Sequence, residues 1–223
     1  MGRSQADRAR RVSEGDAASL TRLVLFDFDG TLTTVETFPL FVRSAAPQWR
    51  VRLGGLVLAP MVLAYRAGWV SGVVMRAAIV RVAFSGMARD HFDALARTFA
   101  TERFPALIRP EVLARLRARR AAGDRVVVVS GNFEALLREW CEAEGVELLA
   151  SALECRDGRL TGRYDGPQCA GEAKVERIRA LVGDWPRERI EAHGDTVEDL
   201  PMLALAATAT YRGAPWSNGD AVR

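Results

Sequence analysis

Two pairs of aspartates in this chain could hold a divalent cation. Asp27 and Asp29 come at the end of one short apolar run, and Asp195 and Asp199 follow another. Like charges disfavour each other's ionisation, so buried carboxylates at this spacing are costly unless a cation lies between them. A solvated Asp-Gly turn would explain an aspartate before Gly30, but not a second aspartate directly after a buried strand. Oxygen ligands suit Mg²⁺, so we predict a magnesium site.

Ser130, Gly131 and Lys174 could hold a phosphate group. Ser130 and Gly131 follow a run of valines, and a hydroxyl and a main-chain amide at a strand-to-helix junction form a small anion-binding corner. Lys174 is the one lysine among 31 basic residues, which suggests a position that needs a compact point charge rather than the broad fork of arginine. Each feature alone also has an ordinary explanation: a Ser-Gly turn, or a lysine on a solvated helix surface.

The elements that must position these side chains alternate between strands and helices. Short apolar runs predict strands at 22–27, 125–130, 148–153, 190–193 and 208–211, and a hairpin at 155–164 around Asp157-Gly158. Helical periodicity covers 110–122, 133–145, 172–182 and 198–206. Alternation of this kind predicts an α/β fold, a Rossmann-like three-layer core with a parallel sheet. Ligands of such sheets bind beyond the carboxyl ends of the strands, where the aspartates fall.

One segment departs from the alternation. Residues 37–107 show helical and apolar patterns without any strand–helix alternation, which predicts an α-helical cap inserted after the first strand. The catalytic core is then formed by residues 21–36 and 108–223. Residues 1–20 are polar and rich in arginine, and we predict a disordered leader there.

Composition excludes several classes of protein. With 223 residues, 49% of them hydrophobic and 26% charged, the chain has the make-up of a folded domain rather than a disordered or low-complexity protein. A net charge of +3 with no zinc-finger spacing and no aromatic RNA-binding signature argues against a nucleic-acid partner. The three cysteines form no CxxC pair, so we expect reduced thiols and a cytoplasmic protein.

Four motifs, taken in chain order, resemble those of the haloacid dehalogenase superfamily of phosphohydrolases. They are residues 27–33, residues 130–132, Lys174 and residues 194–199. That family has D-x-D-G/S-T at the first strand, Ser or Thr at the second, Lys at the third and G-D-x-x-x-D at the fourth. The helical insert resembles the branch that holds phosphoserine phosphatases, and within it the chain is similar to phosphatidylglycerophosphatase C-like hydrolases. This likeness rests on 31–41, 157–163, 166–174 and the pair Tyr211-Arg212. The chain departs from phosphoserine phosphatases at Gly30, where Ser is usual, and at Asn132, where a smaller residue is frequent.

The resemblance implies a phosphatase and a role for each motif residue. Asp27 would be the nucleophile that forms an aspartyl-phosphate, and Asp29 the general acid/base. Mg²⁺ would be held by Asp27, the main-chain carbonyl of Asp29 and Asp195, with Asp199 completing or orienting the metal shell. The phosphoryl oxygens would be held by Ser130, the Gly131 amide and Lys174.

The substrate is less clearly specified. Glu36 lies nine residues after Asp27, where phosphoserine phosphatases place a glutamate that meets the substrate ammonium, but an acid at a helix start has a structural explanation too. Between Glu36 and Asp90 there are seven arginines, no acidic residue and two long uncharged runs. Apolar helices with arginine are typical of membrane-surface elements, although packing within the cap would also account for them. We therefore predict a lipid-like phosphomonoester such as phosphatidylglycerophosphate, and peripheral contact with an anionic membrane at the inner face; the alternative is a small soluble phosphomonoester of the phosphoserine type.

Overall fold

The computed structural model describes residues 21–219, so the predicted leader at 1–20 lies outside the described residues. A six-stranded sheet has the order β3-β2-β1-β6-β7-β8. Its strands are β1 (Leu23–Phe26), β2 (Arg125–Phe133), β3 (Glu147–Ser151), β6 (Ile190–Gly194), β7 (Thr208–Tyr211) and β8 (Ala214–Trp216). All neighbouring pairs are parallel except β7 and β8, which are antiparallel. A separate antiparallel hairpin joins β4 (Leu153–Arg156) to β5 (Arg159–Tyr164).

Both faces of the sheet are covered, as the apolar runs require. Successive side chains of a strand point to opposite faces. On β1, Val24 and Phe26 belong to one buried hydrophobic cluster, whereas Leu23 and Leu25 belong to a second. The second cluster contains Ile178 and other residues of the helices that follow β5 and β6. The predicted three-layer α/β core with a mostly parallel sheet is therefore confirmed.

Among the described residues, five α-helices lie within the predicted insert, and a sixth follows the insert before β2. Those within the insert are α1 (Thr37–Ala45), α2 (Gln48–Val57), α3 (Ala59–Arg66), α4 (Gly72–Phe84) and α5 (Arg89–Leu107). Phe41 of α1 and Phe84 of α4 pack in the same hydrophobic cluster as Phe133 at the end of β2. The insert and the sheet therefore share one core. No helix among the described residues is long and apolar enough to cross a membrane.

The remaining helices are α6 (Pro110–Ala121), α7 (Glu134–Glu144), α8 (Glu172–Val182) and α9 (Leu200–Ala204). Four sequence predictions need correction. The strand predicted at 125–130 extends to Phe133, so Ser130 and Gly131 lie within β2 and not at its junction with α7. The strand predicted at 148–153 is divided, because β3 ends at Ser151 and Leu153 already belongs to the hairpin. The helix predicted at 198–206 begins as a 3₁₀ turn, Val197–Asp199, capped by Thr196, and only then becomes α9. Strand β8 was not predicted, since its three residues are too few to show a pattern.

Candidate active site

The predicted site residues converge at the carboxyl ends of β1, β2 and β6. A cavity of about 670 Å³ opens there. Six of the eight predicted residues line it: Asp27, Asp29, Glu36, Ser130, Gly131 and Lys174. The other two, Asp195 and Asp199, lie beside Asp27, and a carboxylate oxygen of each of these three residues lies within 4.8 Å of the other two. The structure thus brings all eight residues to one place, although their roles remain predictions.

Lys174 lies at the centre of a buried ion-pair network. Its Nζ donates to Asp27 Oδ1 and to Asp199 Oδ1, each at 2.5 Å, and to the main-chain oxygen of Val129 at 2.9 Å. Burial alone would lower the pKa of Lys174, but the two carboxylates outweigh it and raise that pKa. All three N–H donors of the ammonium are engaged, so a contact with a phosphoryl group would replace one of these bonds. Before substrate binds, Lys174 orients the carboxylate of Asp27.

The three clustered aspartates have the donor set and the charge that a magnesium ion fits. Burial and the neighbouring Asp199 raise the pKa of Asp27 well above its usual value, and the same two causes raise that of Asp195 to about 6. A divalent cation would relieve this repulsion. Asp199 differs from the other two: despite its burial, its pKa is held low by Lys174 and by donors from Thr196.

Asp199 is occupied by protein donors at both oxygens. Oδ1 accepts from Lys174, and Oδ2 accepts from the main-chain N–H groups of Asp195 and Thr196 and from Thr196 Oγ1, at 2.9–3.1 Å. Of the two roles that the sequence left open, this arrangement favours orienting the loop that carries Asp195 over direct metal ligation.

Two glycines allow the carboxylates to approach one another. Gly30 has φ +76°, and a Cβ there would collide with the carboxylate of Asp195. A Cβ on Gly194 would lie 2.6 Å from the Cβ of Asp199. Glycine at position 30, where the sequence departs from phosphoserine phosphatases, therefore has a local steric reason in this chain.

Asp29 is held by two residues that the sequence analysis did not identify as site residues. The main-chain N–H and the hydroxyl of Thr37 donate to Asp29 Oδ1 at 3.1 and 2.5 Å. Asn132 Nδ2 donates to Asp29 Oδ2 at 2.9 Å and to Thr37 Oγ1 at 2.8 Å. Burial raises the pKa of Asp29 despite these donors. A carboxyl group that is oriented and protonated more readily than usual suits a general acid.

The wall of the cavity carries charged groups of both signs, Glu36 and Glu198 together with Arg76. Glu36 comes directly before α1, and partial burial, followed by repulsion from Asp29 and Asp195, raises its pKa to about 7. Arg76 of α4 lines the same cavity. Nothing in the sequence distinguished Arg76 from the other arginines of the insert.

Arg76 ties α4 to the loops of the core. Its Nη2 donates to Glu198 Oε2 at 2.7 Å, and its Nε donates to Gln168 Oε1 at 2.9 Å. Gln168 Nε2 in turn donates to the main-chain oxygen of Val73 at 2.7 Å. Helix α4 is thereby fixed over the catalytic cavity by a connected set of polar contacts.

The sequence and the fold both have counterparts among known proteins. A model of the haloacid dehalogenase-like hydrolase family matches residues 24–204. Protein CicA of Caulobacter vibrioides is 36% identical over 208 residues, covering 92% of this chain and 91% of that protein. Phosphoserine phosphatase SerB2 of Mycobacterium tuberculosis is 29% identical, covering 83% of this chain and 42% of its own. A phospho-aspartyl intermediate analogue of a phosphoserine phosphatase has the same fold, with a TM-score of 0.59 at 21% identity, covering 85% of each chain.

Proposed function

Because this chain belongs to the haloacid dehalogenase-like hydrolase family and is a phosphatase, we propose that it hydrolyses phosphomonoesters through a phosphorylated Asp27. The observation that carries the proposal is the buried network at the cavity floor, where Lys174 fixes the carboxylate of Asp27. Water attacks phosphate monoesters extremely slowly, and a positioned carboxylate divides the reaction into two easier steps.

In the first step an oxygen of Asp27 attacks phosphorus and the bond from phosphorus to the ester oxygen breaks. Asp29 gives its proton to the leaving oxygen. In the second step Asp29 takes a proton from water, which attacks the phosphorus of the aspartyl-phosphate, so that inorganic phosphate leaves and Asp27 is restored. Thr37 and Asn132 hold Asp29 in one orientation for both proton transfers.

Phosphatases of this family generally use Mg²⁺, and the residues of this site fit that ion. It would be held by Asp27, Asp195 and the main-chain carbonyl of Asp29. When bound, Mg²⁺ neutralises charge on the phosphoryl group so that an anionic nucleophile can approach. Ser130 and the amide of Gly131 lie at the cavity where they would hold phosphoryl oxygens.

For the substrate, we infer a small phosphomonoester of the phosphoserine type. Glu36 and Arg76 present a negative and a positive group to the same cavity, which would suit a substrate that carries an ammonium and a carboxylate. The similarity to enzymes named phosphoserine phosphatases supports this choice.

A lipid-like phosphomonoester such as phosphatidylglycerophosphate is the second candidate. It is favoured by the apolar side chains at the cavity mouth, where Tyr65 and Val197 line the opening and are themselves exposed. Such a substrate would also require contact with a membrane from the cytoplasmic side.

The reaction is tested by Mg²⁺-dependent hydrolysis of p-nitrophenyl phosphate. We expect Asp27→Asn to lower kcat by at least about 10³-fold, because the amide is not a nucleophile. Asp165→Asn, the same change at an exposed aspartate outside the site, should leave kcat unchanged. Turnover of the Asp27 variant at the wild-type rate would contradict the proposal. Phosphate release from phosphoserine and from phosphatidylglycerophosphate, measured side by side, separates the two candidate substrates.

A further inference from the structure

Helices α2 and α3 form a segment, residues 48–66, that is apolar yet poorly covered by the rest of the protein. Helix α3 has no buried residue, and in α2 only Gly54 is buried. Leu56 is 76% exposed and Leu63 67% exposed. Eleven of the thirteen large hydrophobic residues exposed in the described part of the chain lie between Val35 and Val74. Exposed apolar residues are normal when scattered, but a concentration of this kind marks an interaction surface.

The exposed residues of α2 form one stripe. Trp49, Leu53, Leu56 and Val57 have the spacing i, i+4, i+7, i+8, which places them on one side of a helix. Gly54 lies on the opposite side, where a Cβ would come within 2.9 Å of Val82 of α4. Helix α2 therefore contacts α4 with one face, which also lines an apolar cavity of about 230 Å³, and presents a second apolar face to the outside.

The charged residues of this segment and of its neighbours in the sequence have one sign. Arg43, Arg52 and Arg66 are exposed, and no acidic residue occurs between Glu36 and Asp90. A partner that fits this surface must therefore offer an apolar region to the exposed side chains and negative charge to the arginines. A two-fold pairing with a second copy would place these arginines against one another, because such an interface uses the same patch on both subunits.

We propose that residues 48–66 dock this protein on an anionic lipid bilayer. The segment lies along the interface with Trp49, Leu53, Leu56 and Leu63 among the acyl chains, and the exposed arginines meet the headgroups. Trp69, 84% exposed just beyond α3, is of the residue type that favours the headgroup level. The docking goes beyond the proposed reaction and would stand for either candidate substrate.

Docking in this manner brings the catalytic cavity to the membrane. Tyr65, at the end of α3, and Gly68 both line the cavity. The bilayer would therefore lie beside the cavity mouth, and phosphomonoesters at the lipid surface would be the ones within reach.

The test is flotation of the full chain with vesicles of equal parts phosphatidylglycerol and phosphatidylcholine, compared with phosphatidylcholine alone. We expect the wild type to float with the anionic vesicles, and more weakly in 1 M salt, where the Debye length is only about 3 Å. Leu56→Glu combined with Leu63→Glu should lower the partition coefficient at least about tenfold, or about 1.4 kcal/mol. Leu181→Glu, the same change at an exposed leucine of α8, should float like the wild type.

Hydrolysis of p-nitrophenyl phosphate without vesicles reports separately on folding and on the proposed reaction, and the double variant should retain it. Failure of the wild type to float with anionic vesicles would overturn the docking proposal. So would equal flotation of the double variant, or a wild-type dimer that the double variant converts to a monomer without any vesicle binding. A wild type that floats but does not hydrolyse p-nitrophenyl phosphate would overturn the proposed reaction and leave the docking proposal intact.

Discussion

At the scale of single residues, Asp27 and Asp29 differ in the groups that hold their carboxylates. The two carboxylates are separated by one residue, yet Asp27 is bound by an ammonium and Asp29 by uncharged donors from Thr37 and Asn132. The ammonium of Lys174 opposes the rise in the pKa of Asp27 that burial and Asp199 cause, whereas no cation is among the hydrogen-bond partners of Asp29. We therefore propose that Asp27 attacks phosphorus and that Asp29 transfers the proton.

Replacing the hydroxyl of Thr37 tests this assignment. We expect Thr37→Val to lower kcat about tenfold, a part of the 10²–10⁴-fold that general acid–base catalysis contributes, because Asp29 loses one of the donors that orient it. The hydrogen bond from the Thr37 hydroxyl lowers the pKa of Asp29, so its loss should raise that pKa. The pH profile of kcat should therefore shift to higher pH in the same variant. Thr37→Ser keeps the hydroxyl and serves as the control. If Thr37 has no influence on Asp29, kcat and its pH profile will be the same in Thr37→Val as in the wild type.

The sequence allowed the charged residues of the site to be predicted but not the residues that orient them. Asp27 and Asp195 directly follow β1 and β6, Ser130 follows the valines of β2, and the parallel strands bring these positions together. Thr37 lies at the start of a helix, and no spacing links it to Asn132, 95 residues away. Arg76 is one arginine of seven in an acid-free segment. Such contacts depend on how the insert folds back over the sheet, which a linear pattern does not contain.

At the scale of elements, α4 connects the insert to the catalytic edge of the sheet. Arg76 is its polar link to Glu198 and Gln168, and its apolar side packs against α2 and the hydrophobic cluster. Arg76 and Glu198 line the same cavity as Asp27, so the position of α4 contributes to the shape of that cavity.

Removing this link should weaken substrate binding more than it slows the reaction. We expect Arg76→Met to raise KM about tenfold with a smaller change in kcat, because a charge-assisted hydrogen bond contributes about 1.5–3 kcal/mol. Arg81→Met removes an exposed arginine of the same helix and should leave KM unchanged. Steady-state kinetics with p-nitrophenyl phosphate measures both. An equal KM in the two variants would show that the link has no role in the site.

Element prediction worked where the pattern was long or the turn chemistry specific. The hairpin around Asp157-Gly158 was predicted from its turn residues, and both adopt the positive φ, +50° and +72°, that a tight hairpin turn requires. The division between β3 and β4 was missed because apolar residues continue across it. In that stretch the strand direction changes without any glycine or proline to mark the change.

At the scale of the whole molecule, the insert and the sheet are joined by a cluster of aromatic rings. Phe41 of α1 lies within 6.0 Å, between ring centroids, of Phe84, Phe92, Phe99 and Phe133. These rings come from α4, α5 and β2 as well as α1. We therefore propose that the predicted cap and core are regions of one cooperative unit rather than units that fold separately.

Replacing Phe41 with alanine tests whether the cap and the core unfold as one cooperative unit. We expect Phe41→Ala to lower the free energy of unfolding by about 3–5 kcal/mol, because it leaves a cavity among rings that are fully buried. Thermal unfolding should remain a single transition at a lower Tm. Leu40→Ala, at the exposed neighbouring position, should change stability by no more than about 0.5 kcal/mol. Two separate transitions in the Phe41 variant would indicate that cap and core fold independently.

The central claim is that Asp27 carries the phosphoryl group during turnover. The most direct measurement is a rapid acid quench of the wild-type protein with Mg²⁺ and excess p-nitrophenyl phosphate, followed by mass spectrometry of the peptide that contains Asp27. The account predicts one phosphoryl group on Asp27 in the wild type and none in Asp27→Asn. A phosphoryl group on another residue would contradict the account. So would an unmodified Asp27 in every quenched sample, if hydrolysis of the intermediate is the rate-limiting step.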